Sequence, residues 1–364
     1  KFLVNDDGSL GDRNDVTCVS IEHKLGIHGS PTCVLAYGEN DGAIGWLVGE
    51  EGDGMRNMFT MMNNARLSVG LEGLALSERA YQQALQYTQD RTQGTAFGAE
   101  KGVSSPIIDH ADVRRMLMTQ RSWIDAMRCL IYTNAAELDR ASAASGDEAR
   151  GHQELADLFI PLSKGLCTDL GNELTSLALQ IQGGMGYVEE TGAAQHYRDA
   201  RIAPIYEGTN GIQAADLVGR KLPMRGGGVV TDQLDAFLAT AIELGRSEVL
   251  AQFGKNLESA VSAAREASAW LLEHGAVDPN NALAGATPYL RMLGTVVCGG
   301  LLGKSALVAL AASEAGGADV DFYRAKLMSA KFFGEQILPS ADALLGAITA
   351  GPDDLFALTA EQLA

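Results

Sequence analysis

The order of apolar and polar residues predicts a short β segment at the start of the chain. Apolar or β-branched runs at 16–21, 32–37 and 43–48 are typical of strands. Turn-forming residues at 38–42 separate the last two runs, which predicts that these two form a hairpin. Two or three strands cannot form a stable sheet alone. We therefore expect the end of a larger β-domain, and we interpret the chain as the C-terminal portion of something longer.

After this segment the apolar residues recur at helical spacing. One continuous stripe from Gly54 to Arg91 predicts a long helix. The same spacing predicts a second helix over 113–138 and a third over 155–181. Because proline lacks an N–H and disturbs the preceding turn, Pro161 is expected to restart or kink the third helix.

Small and polar residues predict connections at 141–151 and, rich in glycine, at 224–230. Beyond the second connection, alanine- and leucine-rich patterns predict helices over 231–275, 288–315 and 322–350. The predicted fold class is therefore mainly α. The predicted domains are the incomplete end of a β-domain at 1–50, a helical bundle at 51–223 and an extra helical extension at 224–364.

Composition narrows the classes of partner and compartment. A formal net charge of −18 argues against nucleic-acid binding, which requires clustered lysine and arginine. Five widely spaced cysteines in mostly apolar runs are typical of a reduced, intracellular protein, and we expect a cytoplasmic one with no disulfide framework or zinc site. The most membrane-like stretch, 295–312, is interrupted by Lys304 and Ser305, so we expect a buried helix and no membrane span.

One carboxylate, Glu207, lies in a break between two helical patterns. Pro204 ends the preceding helix, and residues 208–211 form a loop and a cap before helical spacing resumes at Ile212. A carboxylate held in such a break could act as a general base once it is desolvated. It could equally be a structural group that interacts with the free N–H groups at the start of the next helix. Local chemistry alone favours the structural interpretation.

Two further features leave alternatives open. The segment Gln180-Ile-Gln-Gly-Gly-Met-Gly186 could contact a phosphate or could simply end a helix, and it is not a dinucleotide fingerprint because it follows a helical pattern. Arg66, Arg91 and Arg198 end or interrupt apolar stripes. Each could hold a phosphate or carboxylate, or could form an ordinary surface ion pair. We find no hydrolase, protease or metal motif in the sequence.

Several motifs in a fixed order resemble the flavin-dependent acyl-CoA dehydrogenases. The resemblance covers about residues 22–222, and the region after Met224 resembles the subfamily with a C-terminal helical extension, which includes 3-(methylthio)propionyl-CoA dehydrogenases. The motifs that carry it are Glu22-His-Lys-Leu-Gly-Ile-His-Gly-Ser30, Gly45-Trp-Leu-Val-Gly-Glu50, Asn63-Asn-Ala-Arg66, Gln180-Ile-Gln-Gly-Gly-Met-Gly186 and Arg198-Asp-Ala-Arg-Ile-Ala-Pro-Ile-Tyr-Glu-Gly-Thr209.

This resemblance implies a fold and a reaction. The fold has N-terminal helices, a central β-barrel-like domain and a C-terminal four-helix bundle, of which this chain holds the last strands and the bundle. The glutamate that matches Glu207 removes the α-proton of an acyl-CoA thioester while the β-hydrogen leaves as hydride to N5 of FAD. An electron-transfer flavoprotein or a similar acceptor then reoxidises the flavin. A homodimer or homotetramer is expected.

The resemblance also assigns site residues by position. Asn63, Arg66 and Gly208 match substrate-binding positions, although the family often has Asp in place of Asn63. The residues that match FAD contacts are Arg91, Gln180, Gly184 and Thr209, the first three reaching across a dimer interface. Some relatives carry the base on the long helix, where Asn64 and Ala65 offer no carboxylate, which strengthens Glu207.

The sequence departs from the family pattern in places, and other functions are left open. Thr92-Gln-Gly and a longer loop follow Arg91, where the family commonly has Phe-Gly, and Gly211 lacks a longer polar side chain. The flavin-stacking strands are not in this sequence, so we expect this chain alone to bind little or no FAD and to be inactive. An acyl-CoA oxidase is the alternative enzyme. A non-catalytic helical assembly module is the alternative of another class.

Overall fold

Four short strands in residues Lys1–Asn64 pair as two separate antiparallel hairpins. The structure is a computed structural model that describes residues 1–364 apart from the side chain of Asn63. Strand β1 (Phe2–Val4) pairs with β2 (Leu10–Arg13), and β3 (Val16–Ile21) pairs with β4 (Cys33–Tyr37). Lys1–Asn64 is one of two compact units in the chain.

The predicted hairpin between 32–37 and 43–48 is wrong. Strand β4 pairs with β3, and residues 43–48 contain no strand. Hydrogen bonds from side chains, and not from a partner strand, fix the backbone of this segment. The carboxylate of Asp15 accepts hydrogen bonds from the N–H groups of Asn40, Asp41 and Gly42. The Asn14 amide bonds both the N–H and the carbonyl of Ile44, at 2.9 and 2.8 Å.

The first three helices follow the predicted stripes, with different connections. Helix α1 spans Gly54–Asp90, α2 spans Ala111–Ala143 and α3 spans Gly146–Ile181. The predicted connection at 141–151 is wrong, because only two residues separate α2 from α3. Two acidic residues in the first turn of α3 favour a helix start at this point. Helix α3 also continues through Pro161 without a restart.

The remaining helices build the second half of the unit Ala65–Ala364. The predicted linker at 224–230 is a single short turn at Met224–Gly227, in which Arg225, Gly226 and Gly227 have positive φ. The predicted helix over 231–275 is interrupted at 245–250. The elements are α4 (Ala193–Ala200), α5 (Asn210–Asp216), α6 (Gly228–Leu244), α7 (Ala251–Val277), α8 (Pro279–Ala284), α9 (Ala286–Ala315), α10 (Val320–Phe332) and α11 (Leu345–Thr349).

One hydrophobic core joins the bundle helices to the extension. Helix α9 packs against α2, α3, α6, α7 and α10. It is the one helix of the described residues that is long and apolar enough to cross a membrane, and 56% of its most apolar window is buried inside the protein. The stretch 295–312 is therefore the buried helix that we expected. The predicted domain boundaries at 50 and 223 stay a prediction.

Two glycines bring α1 against α3 and so position the site described below. A Cβ added at Gly70 would overlap the carbonyl of Ser163, and one at Gly73 would overlap the carbonyl of Cys167. The backbones of the two helices therefore touch where neither α1 residue has a side chain. This close contact places Arg66, one turn before Gly70, beside the part of α3 that carries Lys164.

Candidate active site

Glu207 lies at the sharp bend of a loop between α4 and α5. The N–H of Asn210 donates to the carbonyl of Pro204 at 3.0 Å, which closes the loop at its base. Glu207 has φ +55° and Gly208 has φ +81°. The left-handed region is uncommon for a residue other than glycine and persists where the surrounding structure enforces it. The loop therefore turns at the carboxylate-bearing residue itself.

The residues after Glu207 hold the bend from the C-terminal side. Thr209 is the N-cap of α5, and its Oγ1 accepts a hydrogen bond from the N–H of Ile212 at 3.3 Å. Gln213 is fully buried. Its Nε2 lies 3.4 Å from the carbonyl oxygen of Glu207 and 3.3 Å from that of Gly208. The backbone of the bend is thus fixed by a side chain from the next helix.

Thr209 caps α5, so the Glu207 side chain does not bond the free N–H groups at the start of that helix among the described residues. Among the described residues, the Glu207 carboxylate makes no hydrogen bond and no ion pair. It is partly exposed. An unpaired carboxylate on a strained, well-anchored loop can accept a proton from a ligand without first breaking an internal contact.

Arg66 lies against the same bend. It is only 5% exposed, and a Cβ at Gly208 would lie 3.8 Å from its Nη2. Its Nη1 is 3.6 Å from Oδ2 of Asp216, while its buried Nε has no hydrogen-bond partner in the described residues. The structure thus brings together Glu207, Gly208 and Arg66. The side chain of Asn63 lies outside the described residues.

Tyr206, directly before Glu207, is tied to α1. Its hydroxyl donates a hydrogen bond to the carboxylate of Glu72. Burial raises the pKa of Tyr206, and the hydrogen bond to Glu72 and the nearby charge of Glu207 raise it further. The phenol is therefore neutral at physiological pH, and it fixes the residue before the bend.

Lys164 of α3 was missed by the sequence analysis. Its side chain is fully buried, and its Nζ donates to Oδ1 of Asn210 at 2.8 Å. The pKa of Lys164 falls from 10.5 to about 8 because burial lowers it strongly; Asp169 and Glu207 oppose the change, and the charge of Arg66 adds to it. The available signal was a lone lysine inside an apolar helical stripe. Its partner lies 46 residues away in the sequence, so the pattern could not indicate a role.

The positions that match FAD contacts lie in two places. Arg91 follows α1 directly and is exposed, and its side chain bonds only Gln93 among the described residues, at 3.0 Å. Gln180 and Gly184 are exposed at the end of α3 and in the following turn. Thr209 instead lies on the Glu207 loop, where its hydroxyl caps α5.

The end of α1 and the glycine turn border one cavity. This cavity of about 650 Å³ is lined by Tyr87 and Asp90 on α1 and by Gln182 and Met185 at the turn. Gly183 has φ +57° directly after the C-cap of α3, which confirms the helix-end interpretation of the glycine segment. It does not exclude a ligand, because added Cβ atoms at Gly183 and Gly184 would meet nothing within 4 Å.

The Arg91 guanidinium and the backbone N–H groups of the glycine turn fit the phosphates of a dinucleotide cofactor. An exposed guanidinium without a carboxylate partner suits a phosphate, as do backbone N–H groups in an open turn. Arg198 differs, because its Nη1 pairs with both carboxylate oxygens of Glu189 at 2.6 and 2.7 Å. The ion-pair interpretation therefore holds for Arg198.

Comparison with known sequences identifies similar proteins. Residues 52–222 match the family model "Acyl-CoA dehydrogenase, C-terminal domain", and residues 230–359 match "Acetyl-CoA dehydrogenase C-terminal like". The chain is 43% identical to a 3-methylmercaptopropionyl-CoA dehydrogenase of Ruegeria pomeroyi, over 98% of this chain and 60% of that protein. It is 38% identical to a butyryl-CoA dehydrogenase of Syntrophomonas wolfei, over 93% of this chain and 57% of that protein.

Solved structures show the same fold. Caenorhabditis elegans ACDH-11 in complex with C11-CoA aligns with a TM-score of 0.73 at 20% identity, over 98% of this chain and 56% of that chain. An acyl-CoA dehydrogenase complexed with FAD from Bacillus anthracis aligns with a TM-score of 0.69 at 20% identity, over 95% and 58%. The predicted mainly α fold is confirmed. The chain spans about 60% of the length of the curated relatives named above.

Proposed function

Because this chain belongs to the acyl-CoA dehydrogenase family, we propose that the protein containing it dehydrogenates an acyl-CoA thioester between Cα and Cβ, with FAD as cofactor. The observation that carries this proposal is the unpaired Glu207 carboxylate, held on a strained loop next to the buried guanidinium of Arg66. We assign Glu207 as the general base.

Glu207 accepts the α-proton of the thioester on a carboxylate oxygen. An apolar acyl chain that covers the site removes water from the carboxylate, which makes it a stronger base. The bond network of the loop holds it in place, so that orientation need not be established during the reaction.

FAD, when bound, supplies the acceptor for the β-hydrogen, which leaves as hydride. Arg91, Gln180 and Gly184 would hold its phosphates and adenosine, and Thr209 would contact it from the Glu207 loop. The exposed, carboxylate-free guanidinium of Arg91 and the open glycine turn support this assignment. As the family resemblance implies, we propose a homodimer or homotetramer and an electron-transfer flavoprotein or similar acceptor.

The names of the relatives suggest the first substrates to test. One similar protein is named for 3-methylmercaptopropionyl-CoA, another for butyryl-CoA, and a third from Mycobacterium tuberculosis is named a broad-specificity linear acyl-CoA dehydrogenase. We therefore propose a linear acyl-CoA as substrate. A series of linear CoA thioesters of increasing length would define the preferred chain.

Anaerobic mixing tests the proposed reaction. The flavin-loaded, full-length protein is mixed with butyryl-CoA or 3-methylthiopropionyl-CoA without an electron acceptor. We expect loss of the oxidised-flavin absorbance and one equivalent of enoyl-CoA per flavin. A fully flavinated protein that shows neither with any thioester of the series would contradict the proposal and favour an assembly role.

Oxygen separates the dehydrogenase from the alternative oxidase. In air, without an added acceptor, a dehydrogenase forms little peroxide, whereas an oxidase forms peroxide equal to the enoyl-CoA produced. Sustained peroxide formation at the rate of flavin reduction would identify an oxidase. Both results retain Glu207 as the base.

A further inference from the structure

We infer that Asn210 and the buried Lys164 are positioning residues that fix the Glu207 loop for proton abstraction. The inference concerns the same site and rests on the proposed function for its catalytic part. Its structural part, the anchoring of the loop, can be measured independently of any reaction.

Asn210, the first residue of α5, closes the loop through its backbone and links it to α3 through its side chain. Its backbone N–H closes the loop on Pro204 at 3.0 Å, and its side chain reaches across to α3. The α3 atoms within hydrogen-bond distance of its amide nitrogen are the carbonyl of Gly165 at 3.0 Å, Oγ1 of Thr168 at 3.0 Å and Oδ1 of Asp169 at 2.7 Å. No other residue of the loop makes as many side-chain bonds to another helix among the described residues.

Lys164 of α3 adds a further bond to the Asn210 side chain. An ammonium that is fully removed from water is costly, so its retention requires compensating partners. Its Nζ donates to Oδ1 of Asn210 at 2.8 Å, and this oxygen also lies 3.2 Å from Oγ1 of Thr168. Thr168, one turn later on α3, donates its hydroxyl proton to the Lys164 carbonyl at 2.7 Å and thereby presents its oxygen to Asn210.

The charges around Lys164 partly offset the cost of its burial. The ammonium is attracted by Asp169 and Glu207 and repelled by Arg66. Its bond to Asn210 is tested by replacing the lysine with an apolar side chain of similar length.

Replacement of Asn210 tests positioning. In the full-length, flavin-loaded protein, we expect Asn210→Ala to slow flavin reduction at saturating acyl-CoA by about 10- to 100-fold, because small misplacements of a reacting group have effects of this size. The Michaelis constant should change by less than about threefold, because the bond network is used in the transition state and not in holding the CoA.

A matched control is available on the same helix. Asn172 of α3 donates to the carbonyl of Thr168 in its own helix at 2.9 Å and to that of Ala200 in α4 at 3.1 Å, and it makes no hydrogen bond to residues 201–209 within the described part of the chain. Asn172→Ala removes the same atoms and also breaks one interhelical bond. We expect it to reduce the rate by less than about twofold, because it leaves the position of Glu207 unchanged.

Lys164→Met tests the anchor from the α3 side with a side chain of similar length. The variant loses the bond from Nζ to Oδ1 of Asn210. We expect flavin reduction at saturating acyl-CoA to slow by about 10- to 100-fold, with a Michaelis constant changed by less than about threefold, as in Asn210→Ala. A wild-type rate in Lys164→Met would overturn the positioning role of Lys164.

Hydrogen exchange tests the anchor without any reaction. We expect the amides of Ile205 and Tyr206, which donate to the carbonyl of Ile202, to exchange at least about tenfold faster in Asn210→Ala than in wild type or Asn172→Ala, since loss of the anchor lets the loop open. Unchanged exchange would overturn the anchor. Faster exchange with a wild-type rate of flavin reduction would overturn the positioning role. If wild type itself does not reduce flavin, the proposed function fails, and the exchange result still decides the anchor.

Discussion

The burial of Lys164 predicts how the stability of the protein changes with pH. In the folded protein the pKa of Lys164 falls from 10.5 to about 8. A pKa difference of 1 between the folded and unfolded states corresponds to about 1.4 kcal/mol, so the whole decrease corresponds to a free energy on the order of 3 kcal/mol. Above pH 8 the folded protein releases this proton while the unfolded chain still binds it. Stability therefore rises with pH between about 8 and 10.5.

Lys164→Met removes this contribution. The free energy of unfolding is measured by urea denaturation of the full-length wild-type and variant proteins at several pH values from 7 to 10.5. We expect the variant-minus-wild-type difference to fall by on the order of 3 kcal/mol across this range. Burial also raises the pKa of Cys167 and of Tyr289. These groups are present in both proteins, so their effects cancel in the difference.

Lys304→Met serves as the matched control, because it removes an exposed lysine from α9. The difference in the free energy of unfolding between Lys304→Met and wild type gives the effect of removing an exposed lysine. A Lys164→Met difference that stays constant with pH to within about 0.5 kcal/mol would show that the pKa of Lys164 is not lowered by folding. A difference that rises with pH would show that folding raises this pKa.

Two further predictions concern the frame of the site. Thr209→Ala removes the N-cap of α5 and should lower the free energy of unfolding by about 1 kcal/mol. Urea denaturation checks this, and Thr209→Ser should recover most of the loss; an alanine variant as stable as wild type would show that the cap is dispensable. Gly70→Ala places a Cβ against the carbonyl of Ser163 and should destabilise the α1–α3 contact by about 1–3 kcal/mol. The control is Gly219→Ala, where an added Cβ meets nothing within 4 Å, and equal effects of the two substitutions would contradict the close-contact argument.

Helix positions were predictable from sequence because burial of one face imposes a regular spacing. The stripe from Gly54 to Arg91 matches α1 almost residue for residue. The strand at 43–48 failed for a different reason. Its apolar residues fit a strand, but the side chains of Asn14 and Asp15 bind the backbone that a partner strand would need. Such side-chain bonds leave no periodic signal.

The site was only partly predictable for a similar reason. Pro204 and Gly208 indicated a break in the helix, and the resemblance singled out Glu207. The left-handed backbone of Glu207 could not be predicted, because glutamate shows no preference for it. The contact of Lys164 with Asn210 depends on how α3 meets the loop, which is a property of tertiary packing.

The role of Glu207 as the base is tested most directly by the rate of flavin reduction by acyl-CoA in Glu207→Gln. Glutamine keeps the shape of the side chain but cannot accept the α-proton. The matched control is Glu190→Gln, which replaces an exposed carboxylate on the turn before α4. In the full-length protein we expect the Glu207 variant to hold as much flavin as wild type and to be reduced at least about 10²- to 10⁴-fold more slowly. Flavin reduction within about tenfold of the wild-type rate, at equal flavin content, would contradict the account.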